Sequence, residues 1–286
     1  MSAQSFLHEL VGSMSQGAAG NPTVAVIEAA FAQHGLAWRY INLEVPPEEL
    51  ADAVRGAKAM GFRGFNLSIP HKVAVIPLLD GLGESAQLIE AVNCVVRRGD
   101  RLIGENTDGK GFLASLQSVT DPRGKSVVLF GAGGAARAVS MELALAGARR
   151  ILVVNRDPVR GEDLANAIRT RAGIESQSAL WKGNFAVPVD ADIVINGTSI
   201  GLYEPETRLP VDLETLEPSM IVADVVFNPP QTRFLREAAA RGCTVLDGLG
   251  MLVNQGAIGI KYWTGVDPDP AIMRTTLERA LGVAGA

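Results

Sequence analysis

Short apolar runs alternate with amphipathic stretches along nearly all of the 286 residues, and this alternation predicts an α/β fold built largely on parallel strands. Val24 to Gln33 and Pro47 to Met60 have helical spacing, whereas Trp38 to Leu43 and Gly64 to Ile69 read as strands. Val92 to Arg97 followed by Arg101 to Gly104 reads as a hairpin closing on Gly99-Asp100, so the first sheet is expected to be mixed. A second unit begins near Asp108. Its strands are Lys125 to Phe130, Arg150 to Val154, Ala191 to Ile195, Met220 to Val225 and Cys243 to Leu246. Arg137 to Ala146 and Val159 to Arg171 supply helices between them, giving a doubly wound pattern. Two last helices, Leu252 to Thr264 and Pro270 to Leu281, are expected to return to the first domain. The expected division is residues 1–107, completed by 251–286, and residues 108–250.

Composition narrows the partners. Net charge is −5 and no basic stripe forms, which disfavours nucleic acid and anionic membranes. No segment is long and uncharged enough to span a bilayer, and residues 1–20 lack the core of an export signal. Cys94 and Cys243 are too isolated for a disulfide scaffold, and His8, His34 and His71 are dispersed, so no metal site is expected. A reduced, cytoplasmic protein follows, as monomer or homodimer.

The run Gly131-Ala132-Gly133-Gly134-Ala135-Ala136 leaves a strand and opens a helix, the context of a dinucleotide fingerprint. Its glycines permit a tight turn and close approach to a pyrophosphate, and the helix start offers N–H groups to it. This marks residues 108–250 as a Rossmann-type NAD(P)-binding domain. After the next strand comes Asn155-Arg156-Asp157. Arginine suits a 2′-phosphate, so NADP is preferred, while the Asp157 carboxylate would repel that phosphate and leaves NAD possible. Alternatively, Arg156 and Asp157 simply begin and cap the following helix.

A second set of polar residues interrupts apolar segments: Asn66-Leu67-Ser68-Ile69-Pro70-His71-Lys72, Ala91-Val92-Asn93, Gly104-Glu105-Asn106-Thr107-Asp108-Gly109, Asn196-Gly197-Thr198-Ser199, and Asp247-Gly248-Leu249-Gly250-Met251 leading to Gln255. In this order the motifs resemble those of the shikimate dehydrogenase family, from Gly12 to the C-terminal helices. The resemblance implies a two-domain enzyme that reversibly reduces 3-dehydroshikimate to shikimate with NADPH, or oxidises quinate in related members. It implies Lys72 as the catalytic lysine, Asp108 as its partner, and Ser68, Asn93 and Gln255 on the substrate. Glu84, Arg160, Thr198, Val225, Gly248 and Met251 would face the cofactor, with hinges near Thr107 to Gly111 and Gly248 to Met251.

The chain also departs from the family pattern. Two serines, at i and i+2 before a proline, bind the substrate carboxylate in the family; here the segment reads Ala18-Ala19-Gly20-Asn21-Pro22-Thr23. A tyrosine that helps hold that carboxylate is replaced by Phe227. Hydrogen bonds to a charged group contribute about 1.5–3 kcal/mol each, so either other donors compensate or the substrate has changed. Asn21 and Thr23 are the candidates, with Ser13 and Ser15 behind them, although Thr23 could instead cap a helix starting at Val24. Glu90 and Cys94 also replace residues usual around Ala91-Val92-Asn93. Two further readings stand beside this one. Architecture alone would allow a one-carbon folate or amino-acid dehydrogenase, and the missing carboxylate ligands would allow a non-catalytic metabolite- or cofactor-sensing regulator.

Overall fold

The computed structural model describes residues 7–283; the ends of the expected first domain, residues 1–6 and 284–286, lie outside them. In chain order the elements are β1 (Glu9–Ser15), α1 (Thr23–Gln33), β2 (Trp38–Glu44), α2 (Leu50–Ala59), β3 (Gly64–Leu67), α3 (His71–Ala74), β4 (Gly81–Leu82), α4 (Glu84–Ile89), β5 (Cys94–Arg98) and β6 (Arg101–Glu105). There follow α5 (Asp108–Gln117), β7 (Ser126–Phe130), α6 (Gly134–Leu145), β8 (Arg150–Asn155), α7 (Pro158–Ala167), β9 (Glu175–Leu180), β10 (Phe185–Ala186), β11 (Ile193–Asn196), β12 (Val211–Asp212), β13 (Ile221–Asp224), α8 (Arg233–Ala240), β14 (Thr244–Leu246), α9 (Gly248–Thr264) and α10 (Pro270–Leu281). Among the described residues, no helix is long and apolar enough to cross a membrane.

The chain forms two compact units, one ending at Thr107 and resuming at Gly256, the other running from Asp108 to Gln255. In the first, strands run in the order β2-β1-β3-β5-β6-β4, with β1 parallel to β2 and β3, and β5 antiparallel to β3 and β6. The hairpin closes on Gly99-Asp100 with Gly99 at φ +64°, as a two-residue turn demands. Leu50, Val54 and Ala57 project from one face of α2 into a core with Met14, Val45, Phe65 and Leu67. Each large aliphatic buried there contributes about 1.5–3 kcal/mol. Helix α10 packs on α1.

The second unit is a parallel sheet in the order β14-β13-β11-β7-β8-β9. Its central strands β7 and β11 are buried along their whole length, which is why they read as unbroken apolar runs. Phe130 packs against Trp181 and Phe185, with ring centroids 4.9 and 5.7 Å away.

Several boundaries differ from expectation. Strand β3 stops at Leu67, and a short helix follows Pro70 and carries Lys72. Thr23 is the first residue of α1 and does not cap it. The expected hinge at Gly248 to Met251 lies inside α9, and that at Thr107 to Gly111 lies inside α5 except for Thr107.

Candidate active site

In the second unit the nucleotide fingerprint forms as its glycines require. Gly131 turns off β7 at φ +103°, and a Cβ there would lie 2.8 Å from the Thr198 methyl. A Cβ on Gly133 or Gly134 would meet nothing within 4 Å, so backbone is open to a ligand. Helix α6 starts at Gly134 with no side-chain cap and no acid in its first turn, leaving its positive end for an anion. The C-terminal end of β8 carries exposed Arg156, in a hollow lined also by Trp181, Gly183, Ile200 and Pro210. Asp157 is the N-cap of α7: its Oδ1 accepts from the N–H groups of Val159 at 2.9 Å and Arg160 at 3.1 Å. Asn155 donates to the Asp157 carbonyl at 2.8 Å. The carboxylate is therefore engaged by the helix, while the Arg156 guanidinium is exposed. Open glycines, an uncapped helix start and an exposed arginine fit a dinucleotide carrying an extra phosphate.

The loops leaving β11 and β13 are joined by a buried network. Asp224 accepts from Asn196 Nδ2 at 3.0 Å, Val226 N at 2.9 Å and Thr232 Oγ1 at 2.8 Å. Asn196 Oδ1 in turn accepts from the hydroxyl and N–H of Thr198, at 2.7 and 3.1 Å. Burial pushes the Asp224 carboxyl up to about 6, against the pull of its three hydrogen bonds. Val225 and Gly248 are brought together: a Cβ on Gly248 would sit 2.2 Å from the Val226 carbonyl oxygen, so only glycine fits. Phe227 packs edge-on against Tyr203 at 6.4 Å. Gln255 is buried on α9, Met251 lies one turn earlier, and Asp108 heads α5.

In the first unit, Lys72 is half-buried on α3, and its carbonyl accepts from Val92 N at 2.8 Å. Around the same sheet end runs a set of neutral polar groups. The Asn21 carboxamide donates to Ser13 Oγ at 3.2 Å and accepts from Thr23 N at 3.0 Å. Ser13 lies between Asn42 on β2 and Asn66 on β3 in the strand register. The Tyr40 hydroxyl donates to Asn66 Oδ1 at 2.9 Å, and burial raises this phenol's pKa, opposed by a hydrogen bond with Ser13. Asn66 donates to the Asn93 carbonyl at 3.0 Å, and the Asn93 side chain grips Thr107, accepting from its N–H at 2.7 Å and donating to its hydroxyl at 3.0 Å. Ser68 is half-buried beyond the end of β3. Glu84 is exposed in the first turn of α4. Thr23 is buried.

The sequence reading missed Tyr40, Asn42 and Glu44. Their signal was present, since they alternate on one face of the strand Trp38–Glu44. Glu90, unexplained from sequence, follows α4 in the left-handed region at φ +59°. Glycine is the usual residue at such a helix end.

A mixed-sheet unit presenting a lysine and neutral hydrogen-bonding groups, joined to a doubly wound unit with an open glycine turn and an exposed arginine, defines an NADP-dependent oxidoreductase acting on a CH–OH group. The model of the shikimate dehydrogenase substrate binding domain matches residues 22–95, that of shikimate / quinate 5-dehydrogenase residues 114–203, and that of the shikimate 5′-dehydrogenase C-terminal domain residues 248–278. The chain belongs to the shikimate dehydrogenase family. It is 43% identical over 255 residues to shikimate dehydrogenase (NADP(+)) of Methanopyrus kandleri, covering 87% of this chain and 88% of that protein. The ligand-free structure of 5-ketofructose reductase from Gluconobacter sp. strain CHM43 superposes with a TM-score of 0.95 at 55% identity, covering 96% of this chain and 99% of that one. A shikimate dehydrogenase in complex with NADP+ superposes at 0.88 with 34% identity, covering 96% of both chains.

Proposed function

We propose that this member of the family is an NADPH-dependent reductase of a neutral polyhydroxy ketone, of which 5-ketofructose is the example named by a protein 55% identical to it. Asn21 carries this reading. It stands immediately before Pro22, where the family has a serine, and Ala19 stands two residues earlier where the family has the other. Thr23 N and Ser13 Oγ fix which end of the carboxamide is oxygen and which is nitrogen. One N–H and one lone pair remain. A hydroxyl group can satisfy both, because it donates and accepts. A carboxylate only accepts and is repelled by the amide oxygen, whereas two serine hydroxyls can both donate to it. Ala19 and Phe227 remove the other expected carboxylate donors.

In this reading Arg156 holds the 2′-phosphate and the start of α6 holds the pyrophosphate. Bound NADPH supplies a hydride to the carbonyl carbon. Lys72 gives a proton to the carbonyl oxygen as the C=O bond becomes CH–OH, and takes it back in oxidation. Asp108 is the carboxylate partner of this lysine. Ser68, Asn93 and Gln255 bind substrate hydroxyls, and Glu84, Thr198, Val225, Gly248 and Met251 line the cofactor side. A cytoplasmic location, where NADPH is available, agrees with this reading.

Shikimate is the second reading, favoured by the 43% identical relative named for it. Steady-state assays decide between them. Reduction of 5-ketofructose with NADPH is expected to exceed oxidation of shikimate with NADP by about 100-fold or more in kcat/KM, the cost of about two lost charged hydrogen bonds. The reverse order overturns the neutral-ketone assignment.

A further inference from the structure

Two short segments of the first unit matter most to the proposed reaction: the loop carrying Asn21 and the turn carrying Lys72. Both are tied to the end of β2, the loop through Asn42 and Glu44 and the turn through the carbonyl of Val45. Glu44 accepts from two successive backbone N–H groups of the loop, Gly17 at 2.6 Å to Oε1 and Ala18 at 2.7 Å to Oε2. Asn42, one pleat earlier on the same face, donates to the carbonyls of Ala18 and Asn21, both at 3.1 Å. The next residue, Val45, is buried in the core, and its N–H donates to Ser15 at 3.1 Å. Its carbonyl lies 2.8 Å from Nε2 of His71, the neighbour of Lys72.

A carbonyl has no proton to give, so His71 Nε2 carries the hydrogen and donates it. His71 is fully buried, and its Nδ1 has no hydrogen-bond partner. The imidazole therefore serves as a buried strut between α3 and the end of β2. The backbone N–H of His71 also donates to Ser68 at 2.8 Å, which holds the start of α3.

We propose that the end of β2 sets the spacing between the substrate loop and the lysine turn, with Glu44 and His71 as positioning residues for the reaction. Neither touches substrate. Glu44 fixes where Asn21 is presented, and so governs binding of the carbon substrate. His71 fixes where Lys72 is presented, and so governs proton transfer. A misplacement of about 1 Å is enough to lower turnover by about 100-fold in such sites. The proposal rests on the assignment of Asn21 and Lys72 above, but not on which substrate is the natural one.

The test uses the whole chain and whichever of 5-ketofructose and shikimate the wild type turns over, so a wrong substrate assignment leaves it intact. Glu44→Ala is expected to raise KM for the carbon substrate by about 10-fold or more with kcat within about 3-fold and KM for the nucleotide unchanged, and Glu44→Gln, keeping one acceptor oxygen, to fall between. His71→Leu is expected to lower kcat by about 10-fold or more with nucleotide KM unchanged. His71→Gln, whose amide can still donate to Val45, recovers a third or more of the loss. NADPH binding followed by fluorescence reports folding of the nucleotide unit. An unchanged substrate KM in Glu44→Ala overturns the proposal, as does His71→Gln no better than His71→Leu. If His71→Leu does not fold, the Glu44 pair alone decides.

Discussion

Restoring the family's serine pair in this chain by the double change Ala19→Ser and Asn21→Ser should convert its substrate preference. Ala19 is exposed, and the loop around it is held by Glu44 and Asn42 through backbone groups that neither substitution alters. The one local bond of Asn21 that shapes the backbone, from Thr23 N, can be accepted by a serine hydroxyl as well. Two donors aimed at a carboxylate contribute about 1.5–3 kcal/mol each, about 3–6 kcal/mol together. At 1.4 kcal/mol per tenfold, shikimate should gain about 10²- to 10⁴-fold in kcat/KM. The ketose loses about one neutral hydrogen bond, worth about 0.5–1.5 kcal/mol, so its KM should rise about 2- to 10-fold. Initial rates with both substrates, with KM for NADP as the control, measure both effects. If shikimate turnover and the ketose KM are both unchanged, Asn21 does not select against the carboxylate and the reasoning fails.

Arg156→Gln should raise KM for NADP by about 10- to 100-fold while leaving turnover with NAD nearly unchanged, and equal losses with both cofactors would remove Arg156 from the 2′-phosphate. Asp224 keeps a proton in the folded state that the unfolded chain releases near 4, so its contribution to stability is fully present below the unfolded value and is lost as pH rises through about 6. Comparing urea unfolding of wild type and Asp224→Asn from pH 4 to 7 isolates this slope, about 3 kcal/mol in total, and identical slopes would show that Asp224 is ionised throughout. Glu90→Gly relieves a left-handed backbone at φ +59° and should stabilise by about 0.5–1 kcal/mol, read as a rise in thermal midpoint of about 1–3 °C.

The parts of the fold that the sequence shows are those whose residues face apolar surroundings on both sides. Strands β7, β8, β11 and β13 read directly because a parallel sheet covered on both faces leaves no polar alternation to confuse them. Strand β9, Glu-Ser-Gln-Ser-Ala-Leu, lies at the sheet edge and has little apolar signal; Ser176 is buried there only because its hydroxyl donates to the Ile151 carbonyl at 2.8 Å. Helix α8 has a clear apolar face but follows Asn-Pro-Pro-Gln-Thr, which masks its start. At the candidate site, Lys72, Asn21 and the glycine turn are legible because each sits in a local motif. What holds them is not: Glu44 meets Gly17 across 27 positions and His71 meets Val45 across 26, contacts that only the register of β1, β2 and β3 creates.

The most direct test of the account replaces the proton donor itself. Single-turnover reduction of the ketose by Lys72→Met with saturating NADPH is predicted to be slower by about 10²-fold or more, with nucleotide binding and the thermal midpoint unchanged. Hydride transfer at the wild-type rate in that variant would contradict the assignment of Lys72.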